Sequence, residues 1–530
     1  MTTSDQIATN GAGTTGGAGD GLSQLAREAA ANVTGAASPP PVQSHEKVER
    51  HDVEAVNSSS QRSLYVKRQP IHPKLVHGTF RNLKWAMMSI ALGVYYLLPW
   101  IRWDRGPNAP DQAVLLDMPG RRFYFFFIEI WPQEIYFVTG LLVLASLVLF
   151  LATAMFGRVW CGYACPQTVW TDLFIMVERM VEGDRNARLK LQKQSMSLGK
   201  LGKKLSKHSI WLLIAVATGG AWVFYFADAP TLAVELVTLE APAVAYLFIG
   251  VFTATTYMLG GLAREQVCTY MCPWPRIQGA LVDDQSFLVS YRADRGEPRG
   301  PHRKGDSWDG RGDCIDCKQC VVACPMGIDI RDGDQLECIQ CALCIDACDD
   351  IMDKIERPRG LISYDNFDNL ERRARGDKAR MRLLRPRTAL YAALIAAVGF
   401  LMLGVLVTRS PLDVNVLRDR NPLFVTLSDG SVRNGYEVKI LNKLNEERVF
   451  TLSVDGLDGV RIATLTESGL EVLPVAVQSD RLRNVRLFLL LARDGLGQLE
   501  GGSADITFVI TDTADGRQVV NDTTFRGPDF

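Results

Sequence analysis

Five stretches of this chain contain no Asp, Glu, Lys, Arg or His: 85–101, 135–157, 209–227, 241–263 and 388–408. Each is 17 to 23 residues long, and a helix needs about 20 apolar residues to cross a bilayer. One such run fits a buried helix of a soluble protein, but five do not. The runs predict a multi-pass α-helical membrane protein with five spans. The overall apolar content of 47% is ordinary, so the signal lies in where those residues fall. The formal net charge of −1 gives nucleic acid no foothold. Residues 1–62 are rich in Gly, Ala, Ser and Thr and lack the apolar core of a cleavable signal peptide. They are expected to form a disordered tail.

The basic residues orient the spans. Ten Lys and Arg lie in 158–208 and more than twenty in 264–387, against none in 228–240 and four in 102–134. All loops agree on one topology. The N-terminus, the 158–208 loop and a 264–387 domain face the cytoplasm, and residues 409–530 lie on the opposite side. The membrane core is then 63–263, with 388–408 as its fifth helix.

The twelve cysteines follow that division, because 409–530 has none. Eight fall in two runs, CIDCKQCVVACP (Cys314, Cys317, Cys320, Cys324) and CIQCALCIDAC (Cys338, Cys341, Cys344, Cys348). This is C-x2-C-x2-C-x3-C twice, the spacing of a two-cluster ferredoxin-like domain, where the fourth cysteine of each run serves the other cluster. One [4Fe–4S] cluster is therefore assigned to Cys314, Cys317, Cys320 and Cys348, and a second to Cys338, Cys341, Cys344 and Cys324. Zinc prefers fewer, more widely spaced pairs. Pro325 follows the first run, whereas Asp349 stands at the matching place of the second, where an acidic residue would lower a cluster's potential. No C-x-x-C-H occurs for covalent haem, no histidine lies in a span for an intramembrane haem, and no nucleotide-binding glycine fingerprint has the right context.

The other four cysteines form two C-x3-C-P pairs, Cys161/Cys165 and Cys268/Cys272, within an internal repeat. Glu129 and Glu134 recur as Glu235 and Glu240, Arg158 as Arg264, and C-x-Y-x-C-P at 161–166 as 268–273. The four helices of 63–263 thus read as two hairpins in parallel tandem, related by an axis along the membrane normal. Such symmetry would gather four thiols at the cytoplasmic face. Proline after Cys165 and Cys272 suits the first helical position with cysteine at the cap, and the helix N-termini and arginines would lower the thiol pKa values. A soft-metal (copper) site, a further iron–sulfur cluster, a redox dithiol and unreactive structural cysteines all fit these thiols. The glutamates read as solvated edge carboxylates or as a proton- or cation-entry feature. Met155 and Met258 read as packing or lipid-facing residues, with cuprous-ion transfer as the alternative. Residues 412–530 alternate in short strands broken by turns about every ten positions, which predicts an immunoglobulin-like β-sandwich of roughly seven strands.

LYVKRQPIHP, FIEIWPQEIYFVTG, GRVWCGYACPQTVWTDLF, the paired cluster motifs and the sandwich tail together resemble the FixG/CcoG (RdxA) family of cytochrome c oxidase accessory proteins, from about residue 63 onward. The C-x3-C-P helices alone are similar to those of NapH and NosR membrane electron-transfer proteins. The resemblance implies a bacterial cytoplasmic-membrane protein with its C-terminal domain in the periplasm. It implies a role in maturing cbb3-type oxidase, by reducing Cu(II) to Cu(I) for the oxidase's copper centre. Cys161, Cys165, Cys268 and Cys272 would be the copper or redox residues, and copper would be bound only transiently. The implied partners are a cytoplasmic electron donor and the oxidase or its copper-assembly proteins. A quinone-linked electron-transfer subunit and a non-enzymatic assembly factor are the alternative functions.

Overall fold

The computed structural model describes residues 48–57, 69–106, 109–303, 305–410, 412–444, 446–464 and 469–529. Helices occupy all five apolar runs, but their ends differ from the charge-free limits. The first is Thr79–Leu97 and the third Leu198–Val223. Both begin well before the charge-free stretch, because Arg81, Lys84 and Lys200 are buried inside the fold rather than left in a loop. The second is Tyr136–Phe156 and the fifth Pro386–Val407. The fourth is α-helical over Ala243–Thr255 and then widens to π-type turns over Thr256–Ala263. Among the described residues three helices are long and apolar enough to cross a membrane by length and composition: Pro132–Phe156, Ala243–Ala263 and Pro386–Val407.

The chain divides into two compact units. The first comprises the described residues up to 96, those of 141–223 and those of 242–396. In Leu198–Val223, Trp211, Ala215, Thr218 and Gly219 are buried at helical spacing, while Leu212, Leu213 and Val216 point outward. The buried stripe packs on two neighbours. Trp211 stacks on Phe174 of the helix Pro166–Glu182, with ring centroids 5.2 Å apart. Gly219 faces the Ile249 carbonyl so closely that a Cβ there would lie 2.7 Å from its oxygen. Small residues let membrane helices approach this way. Acidic residues of Pro166–Glu182 are neutralised inside the unit. Asp172 takes a two-pronged bond from Arg81 at 2.9 and 3.0 Å. Glu178 pairs with Arg188, Lys207 and Arg264, and Glu182 with Arg188 and Lys207.

The predicted disordered tail needs one correction. Residues 48–57 dock on the cysteine loops: the His51 N–H donates to the Cys317 carbonyl at 3.2 Å, and the Asn57 side chain to the Met326 carbonyl at 2.7 Å. Val48 and Val53 pack on the core that holds those loops. The rest of the tail, 1–47 and 58–62, lies outside the described residues.

The second unit comprises 97–140, 224–241 and 397 onward. The 102–134 connection is a three-stranded antiparallel sheet, Val114–Asp117, Arg122–Phe125 and Ile128–Ile130. The C-terminal part is a sandwich. One sheet runs Arg461–Ala463, Arg481–Leu491, Val432–Asn442 and Leu412–Arg418, with Val425–Thr426 also on Val432–Asn442. The other runs Leu473–Val477, Arg448–Asp455, Ser503–Asp512 and Gln518–Arg526. Among the described residues this makes nine strands rather than seven, because the short edge strands are too brief to alternate visibly. Tyr436, Phe450, Phe508 and Phe525 fill the space between the sheets.

The repeated glutamates do not share one environment. Glu134 is buried and paired with Lys443 at 2.9 Å and Arg409 at 3.4 Å. Glu129 takes a bond from Arg122 at 3.2 Å, and Arg122 also holds Asp480 at 2.6 Å while lying over the Trp131 ring. Neither is a solvated edge residue. Glu240, in contrast, is exposed and accepts a local bond from Thr238, while Glu235 is half-buried. The repeat in sequence is therefore not a repeat in role.

Burial, then the neighbouring Asp480, hold the Glu129 carboxyl up at about 7 despite Arg122 and Arg409. A raised folded-state pKa means the folded chain binds the proton more tightly than the unfolded one. Stability from this group is present at low pH and is lost as pH rises from about 4.5 to about 7. The melting temperature is expected to fall across that window, and Glu129→Gln to flatten the slope. An unchanged slope in the variant would place the titrating group elsewhere.

Candidate iron–sulfur site and thiol quartet

The two C-x2-C-x2-C loops are built alike. In the first, Asp316 and Lys318 have positive φ (50° and 56°); in the second, Gln340 and Ala342 do (57° and 59°). These are the same two places in each motif. The left-handed turns aim Gln319 N–H at Cys317 and Gln340 N–H at Cys338, and the segment after Cys324 aims the Met326, Gly327 and Ile328 N–H groups at its sulfur. Non-glycine residues held in this region cost energy and recur at binding sites. A short helix follows each loop, Gln319–Ala323 and Leu343–Lys354, and carries the remaining cysteines back across.

The result is two cavities. One is lined by Cys314, Cys317, Cys320 and Cys348. The other is lined by Cys324, Cys338, Cys341 and Cys344, with Cys320 on the wall between the two. Each cavity thus takes three thiols from one loop and one from the other, the crossed set read from the spacing. All twelve cysteines are free. Burial pushes the thiols of Cys317, Cys320, Cys324 and Cys338 up, and those of Cys344 and Cys348 strongly. Among the described residues no three His, Cys, Asp or Glu converge tightly enough to hold a single metal ion. Buried thiols that surround a space, with backbone donors aimed at them, fit a four-iron cluster better than a lone ion.

The first C-x3-C-P pair rests on the second of these loops. Gly162, between the two cysteines in Val159–Tyr163, lies so close that a Cβ would stand 2.7 Å from the Ile339 carbonyl oxygen. The same Cβ would be 3.1 Å from the backbone N and Cα of Cys341. The Tyr163 hydroxyl donates to the Cys341 carbonyl at 3.2 Å, and the Tyr364 hydroxyl to the Gln340 carbonyl at 2.7 Å. Arg158 donates to the Leu336 carbonyl on the approach to that loop. Cys161 itself is buried, its thiol donating to Gln278 at 3.1 Å.

The two copies of the motif differ. Cys165 caps the helix Pro166–Glu182 with Pro166 at its first position, as expected. Around Cys268 the backbone makes π-type turns, Val267–Met271, and Pro273 rather than Cys272 caps the next helix, Trp274–Leu281. Cys268 is half-buried and Cys272 exposed. The expected lowering of the thiol pKa values is overturned where a shift is resolved. Burial pushes Cys161 up to about 11 against the pull of Arg158, and Cys268 up to about 12. Arg264 is paired with Glu178. The four thiols act electrostatically on one another but do not converge on a preformed single-ion site. Met155 is half-buried, and Met258 is 57% exposed on its helix, as a lipid-facing residue would be.

One site residue escaped sequence reasoning although it lies inside a motif. Asp346, between Cys344 and Cys348, accepts from the N–H groups of Phe80 (3.2 Å) and Arg81 (2.7 Å). It caps the helix Thr79–Leu97 from the cysteine domain. Asp346→Ala is expected to lower stability by about 1–2 kcal/mol, as other lost caps do. Chemical denaturation of the detergent-solubilised protein would read this, and a change below a few tenths of that size would count against the cap.

Comparison with known proteins agrees with this geometry. Residues 263–367 match the family described as a 4Fe-4S dicluster domain, and 138–180 match a 4Fe-4S binding domain. Residues 402–528 match the IG-like fold at the C-terminal of FixG. The nitrogen fixation protein FixG of Rhizobium meliloti is 51% identical over 486 residues, covering 86% of this chain and 93% of that protein. Proteins RdxB and RdxA of Cereibacter sphaeroides are 53% and 54% identical, covering 88% and 85% of this chain and 98% and 95% of theirs. Among solved structures, a FixG-related protein from Vibrio parahaemolyticus is 24% identical, covers 22% of this chain and 97% of its own, and has a TM-score of 0.19.

Proposed function

The chain belongs to the FixG/RdxA/RdxB family, and from that premise we propose that it is a membrane iron–sulfur electron-transfer protein serving cbb3-type oxidase maturation, with Cu(II) as the substrate reduced. The observation that carries this reading is the seating of Gly162 and Tyr163 on the loop of Cys341. It brings a pair of soft ligands to the edge of a cavity lined by four cysteines. Cys314, Cys317, Cys320 and Cys348 would hold one cluster, and Cys324, Cys338, Cys341 and Cys344 the other. When bound, a four-iron cluster accepts and releases one electron, which is the stoichiometry of Cu(II) becoming Cu(I). Cys161, Cys165, Cys268 and Cys272 would receive the cuprous product, since thiolates favour soft ions.

In the topology we propose, all five helices span the bacterial cytoplasmic membrane, with the 264–387 domain in the cytoplasm and 409–530 in the periplasm. The Lys and Arg distribution supports it. Cys161→Ser/Cys268→Ser protein, reduced beforehand and freed of reductant, is expected to lose formation of Cu(I) as trapped by a cuprous chelator. Its eight cluster cysteines remain, and so should the two cluster signals. Wild-type rates in this variant would end the copper reading.

A second reading has an observation of its own. The match of 138–180 to a 4Fe-4S binding domain includes Cys161 and Cys165, so the quartet would ligate a further cluster. In that case the same variant would lose about four irons per chain.

A further inference from the structure

The two cysteine-lined cavities are not electrostatic equals. Arg331, on the turn Ile330–Asp332, lines the cavity of Cys314, Cys317, Cys320 and Cys348. Its side chain is only 4% exposed. Nη1 lies 3.9 Å from the Cys314 sulfur and 2.6 Å from Asp316 Oδ1. Nε and Nη2 are held by the two oxygens of Asp329, at 2.9 and 2.7 Å. The guanidinium is thereby locked with one N–H directed at a ligand sulfur, and it acts at Coulombic range on Cys317 and Cys320 as well. Two carboxylates accompany it, so the local sum is not positive. The member of the trio that touches sulfur is nevertheless the cation.

Among the described residues no side-chain cation lines the other cavity, whose sulfurs take the backbone N–H groups of Gln340, Met326, Gly327 and Ile328 instead. Besides its cysteines it is lined by apolar side chains such as Val289, Met326, Ile328 and Ile339, with no charged residue among the described lining. A carboxylate acts on each set of thiols, Asp334 on Cys338 and Asp349 on Cys348, so Arg331 is what distinguishes the two. Hydrogen bonds to sulfur and nearby positive charge raise the reduction potential of an iron–sulfur centre, and an apolar shell or an anion lowers it.

We propose that Arg331 is a positioning residue that ranks the two centres: the one held by Cys314, Cys317, Cys320 and Cys348 has the higher potential and takes the first electron. The inference rests on the iron–sulfur part of the proposed function and not on copper. Its consequence is spatial. The helix carrying Cys161 is seated on the loop of the other, lower-potential centre. A singly reduced chain therefore keeps its electron away from the thiol pair, and the second electron makes the centre beside them reducing.

The test is an electron paramagnetic resonance redox titration of full-length, iron-replete protein with dithionite, which adds one electron to each four-iron centre. Cys341→Ser, which alters the centre of the second loop, assigns the two signals. The signal unaffected by Cys341→Ser is expected to appear at the higher potential. Arg331→Met should shift that signal to lower potential and leave the other in place. Arg331→Lys, which keeps the charge, should give a smaller shift. No shift in Arg331→Met, or an equal shift of both signals, would overturn the proposal. So would loss of iron in both Arg331 variants, which would make Arg331 a clamp for the loop. A wild-type chain with no four-iron signals at all would instead end the iron–sulfur reading itself.

Discussion

Cys324→Ala is expected to remove the same iron centre as Cys341→Ala, and a different one from Cys317→Ala. The cavities dictate this pairing. Cys324 stands beside Cys338, Cys341 and Cys344, although in the chain it closes the run that begins at Cys314. Each single variant should lose about four irons per chain. The informative comparison is between double variants. Cys324→Ala/Cys341→Ala should lose no more than either parent, since both ligands serve one centre. Cys324→Ala/Cys317→Ala should lose both centres and their resonance signals. Assignment by sequence neighbourhood makes the opposite forecast, with Cys324 and Cys317 behaving as one. Doubles that sort this second way would refute the crossed arrangement. Cys320 lies on the wall of both cavities, so its own variant is expected to disturb both and is a poor choice for the comparison.

The grouping of cysteines around the two cavities follows the spacing, because three cysteines separated by two residues each share one loop and the fourth is carried away by its helix. The apolar runs were equally legible as helices, since lack of charge over that length has few other solutions. Their limits were not. Charge-free counting stops at Lys84, yet Lys84 and Arg81 are buried against Asp172. A pairing across 91 positions leaves no local mark. The repeat misled in a different way. It put equivalent residues at equivalent places, but one copy winds as an α-helix around Cys161 and the other in π-type turns around Cys268. Glu129 and Glu134 are likewise drawn into ion pairs by Asp480's partner Arg122 and by Lys443, whereas among the described residues no ion pair forms at Glu240. Thiol pKa was misjudged for a general reason. Helix ends and arginines are visible in sequence, whereas burial, which dominates at Cys161 and Cys268, appears only in the fold. Gly162 carried no signal as a single glycine; the close approach that requires it involves Ile339 and Cys341, far away in the chain.

Gly162→Val is the variant expected to separate the thiols from their proposed electron source while altering the ligands of neither. The atoms a side chain would meet are the Ile339 carbonyl oxygen at 2.7 Å and the Cys341 backbone at 3.1 Å. Backbone cannot rotate aside as a side chain can, so relief requires Val159–Tyr163 to lift off the loop. Overpacking of this kind costs about 1–3 kcal/mol, which the fold can absorb. The displacement also breaks the bond from Tyr163 to the Cys341 carbonyl. The wider gap slows the passage of an electron from the loop, and the proposed Cu(II) reduction should fall clearly below that of the matched control. Iron content and both cluster signals should persist, because no ligand is altered. Tyr163→Phe is the matched control: it removes one hydrogen bond, worth about 1 kcal/mol, but keeps the close approach. Its rate is expected to stay within a few-fold of wild type. If Gly162→Val reduces Cu(II) at the wild-type rate with its iron intact, the route to the thiols does not pass through this contact. If Tyr163→Phe alone reproduces the full loss, the hydroxyl rather than the backbone approach is the working element.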